Sequence, residues 1–131
     1  MTIPTHHGFI LIVEDNSKNA KLMRDVLQFH GYRTAEAVTA EDGLAIAFRE
    51  RPDLVLMDVR LPGMDGLAAL KLLRADPRTS RVPVVAVTAS VMPDERDRFS
   101  EAGFDGFIAK PIDIREFPRQ IEAFLADASQ R

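Results

Sequence analysis

Three carboxylates, a hydroxyl and an ammonium stand where four apolar runs of this chain stop: Glu14-Asp15 after FILIV, Asp58 after LVLM, Thr88 after VVAV and Lys110 after FIA. Short continuous apolar runs read as buried strands, and a parallel sheet gathers its strand ends on one edge, where open α/β sheets bind ligands. Several carboxylates meeting there form a hard-oxygen ligand set suited to Mg²⁺ or Mn²⁺. A hydroxyl and an ammonium beside them can donate to phosphoryl oxygens. The chemistry in view is that of a divalent cation and a phosphoryl group.

Each residue also has a plainer role. Glu14 and Asp15 suit an acidic helix N-terminus, which the helix dipole favours; as ligands, Asp15 is the direct one and Glu14 acts through water. Asp58 can be metal ligand, loop cap or a nucleophile that forms an aspartyl phosphate. Pro62-Gly63 is a turn signal that lets the backbone carbonyl of Arg60 point at a metal. Threonine is common in strands, so Thr88 alone says little. Lys110 is costly after an apolar run unless it is partnered, and Asp58 is the expected partner. Pro111 makes an X-Pro bond with Lys110 of the kind that adopts the cis form in tight turns. Taken together, all at strand ends, the set favours one shared phosphoryl site over separate coincidences.

Five strands are expected to position these groups, over Phe9 to Val13, Arg33 to Ala37, Leu54 to Met57, Val84 to Val87 and Gly106 to Ala109. The second, RTAEA, alternates and suits an edge. Between them the spacing predicts helices over Ser17 to His30, with Leu22, Met23, Val26 and Leu27 as the apolar stripe, and after Thr39, with Leu44, Ala47 and Phe48 inward. A third follows Gly66 with Leu67, Leu70, Leu72 and Leu73 inward, a polar fourth spans about Asp94 to Ala102 around Phe99, and a fifth follows Asp113, spaced from Glu116 as a capping box. Pro118 conflicts with a start directly after Asp113, so the fifth helix starts later or is distorted in its first turn. The alternation predicts a doubly wound parallel sheet with right-handed crossovers.

At 131 residues the chain reads as one domain, 1–131, with its core about 9–125 between a short flexible leader and tail. Its net charge of -3 gives no general attraction to nucleic acid, and no apolar run approaches the roughly 20 residues of a membrane span. MTIPTHHG lacks the basic-then-apolar order of a signal peptide. The absence of cysteine excludes disulfides and thiolate chemistry, and a cytoplasmic location is expected.

The stretches ILIVEDN, LVLMDVRLPGMDG, VVAVTAS and FIAKPI, spread from Phe9 to about Leu125, resemble the receiver domain of two-component response regulators. The resemblance implies a flavodoxin-like (βα)₅ fold with strand order 2-1-3-4-5. It implies that Asp58 is the phosphoacceptor, that Glu14, Asp15, Asp58 and the Arg60 carbonyl hold Mg²⁺, and that Thr88 and Lys110 contact the phosphoryl group. It also implies a switch in which Thr88 moves toward the phosphate and Phe107 turns inward, altering the face of helix four, strand five and helix five. The pattern EDN-x-x-N is similar to that of stand-alone receivers, including those controlling bacterial cell-cycle kinases, and to that of hybrid-kinase receivers. The expected partners are a sensor histidine kinase or histidine phosphotransfer protein and a downstream protein target. Direct DNA binding and membrane insertion are not expected. IDIREFPRQI departs from the dimerisation pattern of transcription-factor receivers, so a monomer or weak dimer is expected.

Other classes fit less well. The protein is expected not to be an enzyme beyond catalysing its own phosphorylation and dephosphorylation. A relay intermediate or phosphate sink is the near alternative. A small phosphatase with Asp58 as nucleophile would want an acid/base aspartate where Arg60 stands, and a flavin site would want a Ser/Thr/Gly loop where EDNSKN stands. His6, His7 and His30 are scattered and suit the surface, and Arg74, Arg78 and Arg81 are too sparse for a nucleic-acid patch.

Overall fold

The computed structural model describes residues 8–61, 63–89 and 92–129. Five strands, β1 (Phe9–Val13), β2 (Arg33–Ala37), β3 (Leu54–Asp58), β4 (Val84–Thr88) and β5 (Gly106–Ala109), alternate with α1 (Ser17–Phe29), α2 (Ala40–Glu50), α3 (Gly66–Ala75), α4 (Pro93–Ala102) and α5 (Glu116–Ser129). The strands pair in parallel in the order β2-β1-β3-β4-β5, the expected flavodoxin-like topology. The alternating strand is β2, and it lies at the edge.

Strand alternation divides the core between two faces. Ile10, Ile12, Leu54, Leu56, Val85 and Val87 pack under α1 and α5, against Met23, Leu27, Phe117 and Ile121. Leu11, Val13, Val55, Met57, Val84 and Ala86 pack under α2, α3 and α4, against Leu44, Leu70 and Phe99. With β1, β3 and β4 buried along their whole length, the sheet is fixed in register, because a one-residue slip would exchange its two faces.

The expected strands appear with two of them one residue longer: β3 and β4 include Asp58 and Thr88 as their last residues. Leu72 departs from the expectation; it is 45% exposed, while Leu70 and Leu73 carry the buried stripe of α3. Leu72 lies two residues from Leu70, about 200° around the helix, so the two cannot both face the sheet. The conflict at Pro118 resolves as a later start: α5 begins at Glu116, so Pro118 falls in its first turn, where no N–H is needed. Asp113 Oδ1 still accepts from the N–H groups of Arg115 (2.9 Å) and Glu116 (3.3 Å). Pro62, Ser90, His6, His7 and the rest of the leader lie outside the described residues, as do the last two residues. Among the described residues no helix is long and apolar enough to cross a membrane.

Arg74 has a structural role that its place in a sparse basic stretch does not announce. Its guanidinium donates to the carbonyls of Ser80, Val82 and Gly103 and to Asp105 Oδ2, the last at 2.7 Å. It thereby ties α3, the approach to β4 and the end of α4 together at the edge opposite the strand ends.

Candidate functional site

The acidic residues are brought in by β1 and β3, adjacent strands of the sheet. Beyond β1, the Glu14 N–H continues the ladder to Ala37 O at 3.0 Å, which holds Glu14 against the edge strand. Asn16 then caps α1, its Oδ1 accepting from Lys18 and Asn19 N–H at 3.0 Å each. This cap turns the chain so that Asp15 is exposed while Glu14 is only 2% exposed. An Asn immediately before a helix is a readable cap signal, and it is what orients the acid pair.

Asp58 closes β3 at 5% exposure. Its Oδ1 accepts the Arg60 N–H at 2.9 Å, and its Oδ2 accepts from Lys110 Nζ at 3.1 Å. Lys110 Nζ also donates to Glu14 Oε1 at 3.1 Å. Lys110 itself is fixed by a backbone bond from its N–H to Thr88 O (2.9 Å), and the Lys110-Pro111 bond is cis. Ligand oxygens of Glu14, Asp15 and Asp58 all lie within 4.8 Å of one another. Thr88 is buried at the neighbouring strand end, on the face it shares with Val84 and Ala86. The expected acid, hydroxyl and lysine positions therefore meet at one edge. Arg60 is exposed beside them, and Phe107 stands on β5, paired across the ladder with Ala86.

Electrostatically the cluster is incomplete. Burial pushes the Glu14 carboxyl up against the lowering effect of its bond to Lys110, and the charge of Asp58 pushes the same way as burial. For Lys110, burial opposes the charge, but its bonds to Glu14 and Asp58 outweigh this and hold the ammonium above the ordinary lysine value. One ammonium thus serves two buried carboxylates, with the exposed Asp15 beside them. Glu14 Oε2 is buried with no hydrogen-bond partner, an expensive state for a carboxylate oxygen. A hard divalent cation among these oxygens meets that deficit, so the donor set fits Mg²⁺.

Gly66 sets the distance between α3 and Asp58. A Cβ there would stand 2.8 Å from the Asp58 carbonyl oxygen and 3.0 Å from Val59 Cα, and the Gly66 N–H bonds Val59 O at 3.2 Å. The turn signal at Pro62-Gly63 hid this second glycine, whose role is close approach rather than turning; Gly63 is the one with positive φ (+78°).

Comparison with known proteins places the fold and the site in context. The sequence profile described as the response regulator receiver domain matches residues 10–122. The polar-differentiation response regulator DivK of Brucella anthropi is 40% identical over 119 residues, covering 91% of this chain and 97% of that protein. A putative response regulator from Chloroflexus aurantiacus superimposes with a TM-score of 0.86 at 30% identity, covering 92% of this chain and 99% of that one. The receiver domain of the sensor histidine kinase PA1611 from Pseudomonas aeruginosa, with a magnesium ion coordinated in its active-site cleft, gives a TM-score of 0.84 at 33% identity over 92% of this chain and 99% of its own.

Proposed function

The chain belongs to the response regulator receiver domain family of two-component systems, and we propose that it is a signalling switch operated by phosphorylation of Asp58. The reading rests above all on one observation: the Glu14, Asp15 and Asp58 oxygens gather within 4.8 Å, with a buried Glu14 oxygen left without a partner, at the strand ends where Lys110 bridges two of them.

Glu14, Asp15, Asp58 and the Arg60 carbonyl would hold Mg²⁺, which would offset repulsion between Asp58 and an incoming phosphoryl group and would stabilise charge on the group in transfer. An Asp58 carboxylate oxygen attacks the phosphorus of a phosphohistidine donor; the O–P bond forms, the P–N bond breaks and the imidazole leaves with the electron pair. Lys110, already 3.1 Å from Asp58 Oδ2, passes from carboxylate to phosphoryl oxygen, and the Thr88 hydroxyl donates to a second one. Water later cleaves the acyl phosphate and restores Asp58. The protein turns over no external substrate; its product is its own modified state.

The donor is a histidine kinase or a histidine phosphotransfer protein in the cytoplasm. The output is protein binding by the α4–β5–α5 face, without DNA contact. The likeness to the receiver domain of a sensor histidine kinase at 33% identity also supports service as a relay intermediate. Titration with beryllofluoride and Mg²⁺ tests the switch by amide NMR. The reading expects saturable shifts around Asp58 and Thr88 that extend to Phe107 and α4, all lost in Asp58→Asn. Shifts confined to the Asp58 loop would remove the switch and leave only a phosphate-binding site.

A further inference from the structure

Phe107 is held from the outside by a contact that phosphoryl chemistry does not require. Its ring is half-buried against the layer under α2, α3 and α4 and borders a cavity of about 330 Å³ lined also by Phe99, Phe104 and Gly106. The Arg96 guanidinium of α4 sits 4.6 Å from the ring centroid, cation-π distance. Arg96 forms no ion pair with a carboxylate among the described residues, and the ring is its aromatic contact.

In the ladder toward Thr88, the neighbours of Phe107 are small residues. The cross-strand partner of Phe107 is Ala86, and Ala109, two residues on, pairs with Thr88. Residues two apart share a face, so Phe107, Ala86, Ala109 and Thr88 lie on one face of the sheet. Meanwhile the first turns of α4 have little else to hold them. Met92 at the N-cap offers no side-chain hydrogen bond, and the single buried residue of the helix, Phe99, sits toward its far end, edge-on to Phe104 at 5.9 Å.

We propose that Arg96 is a positioning residue: a latch that keeps Phe107 against α4 in the unphosphorylated protein and so sets the resting balance of the switch. The inference rests on the reading of Asp58 as acceptor and adds a residue to it. A stabilisation that exists only in the resting arrangement subtracts from the population of the other arrangement. Removing it raises that population, and with it the rate at which a small donor labels Asp58.

The experiment measures initial rates of acetyl phosphate labelling with Mg²⁺, by intact mass, for wild type, Arg96→Ala, Arg96→Lys, Phe107→Leu and the Arg96→Ala/Phe107→Leu pair. Arg96→Ala should label about two- to fivefold faster than wild type, the range that a rim cation-π contact converts to. Arg96→Lys, which keeps a cation over the ring, should stay near wild type. In the Phe107→Leu background the Arg96→Ala change should have no further effect. A rate for Arg96→Ala equal to or below that of wild type, or an acceleration that persists without the ring, overturns the latch while wild-type labelling leaves Asp58 as acceptor. Wild type that neither labels nor binds beryllofluoride overturns the acceptor reading, and the latch with it.

Discussion

The ammonium of Lys110 lies 3.1 Å from Oδ2 of Asp58, although β4 runs between the strands that deliver them. The lysine side chain reaches across the end of β4 to do this, past Thr88, to which its own backbone is bonded. It occupies the position of a counter-ion for a cluster whose carboxylates outnumber it. The same ammonium is therefore poised to meet a phosphoryl group on Asp58 without a large movement.

Lys110→Ala should move two measurements in opposite directions. Taking away the ammonium leaves Glu14 and Asp58 without their shared partner, which raises the negative charge seen by Mg²⁺ and tightens its binding. Phosphorylation loses a charge-assisted donor of about 1.5–3 kcal/mol, a slowing of ten- to a hundredfold. Isothermal titration with Mg²⁺ and labelling kinetics check the two arms.

Glu14 gives the site its pH dependence. Burial, with the charge of Asp58, raises its carboxyl above the usual value. Protons therefore compete with Mg²⁺ at a higher pH than for an ordinary glutamate, and affinity should begin to fall there. For the metal-free fold the sign is the reverse of a paired carboxylate: a raised folded value contributes stability below the unfolded pKa and loses it as pH rises through the folded one. Urea midpoints of wild type relative to Glu14→Gln should accordingly decline from acid toward neutral pH, and saturating Mg²⁺ should restore the wild type.

Gly66→Ala should separate site geometry from overall folding. The new Cβ presses on the Asp58 carbonyl oxygen at 2.8 Å, which is backbone and cannot rotate away. A cost of about 1–3 kcal/mol in stability is expected, with a fall in Mg²⁺ affinity. Gly106→Ala is the control. Its Cβ clashes with the Phe124 side chain of α5, so it should lower stability and leave Mg²⁺ binding unchanged.

Much of this was legible in the sequence. Continuous apolar runs marked β1, β3 and β4 because strands buried on both faces need no polar alternation, and each run is followed directly by a residue of the site. Leu72 shows the limit: a leucine-rich helix has more apolar residues than its buried stripe can take, and the face of α3 turned to the sheet takes Leu70 and Leu73 but not Leu72. Arg74 and Arg96 were illegible for another reason. Arg74 falls in a basic stretch too sparse for nucleic acid and Arg96 in the polar fourth helix, and only the fold brings carbonyl oxygens to one and an aromatic ring to the other. The closeness of Gly66 to Asp58 likewise depends on the angle at which α3 meets β3, which no local pattern encodes.

Arg74→Ala should destabilise the fold by about 2–4 kcal/mol, since a half-buried guanidinium leaves three carbonyls and Asp105 to find other donors. Arg74→Lys should recover little, because one ammonium cannot reproduce the planar fork. Urea unfolding measures both. The rate of Asp58 labelling under native conditions should stay within about twofold of wild type, the clamp lying at the opposite sheet edge.

Intact mass after incubation with acetyl phosphate tests the account most directly, with and without Mg²⁺, for wild type and Asp58→Asn. The account predicts one phosphate adduct on wild type that requires Mg²⁺, is removed by hydroxylamine and is absent from the variant. An adduct that survives Asp58→Asn, or that forms equally without Mg²⁺, would contradict it.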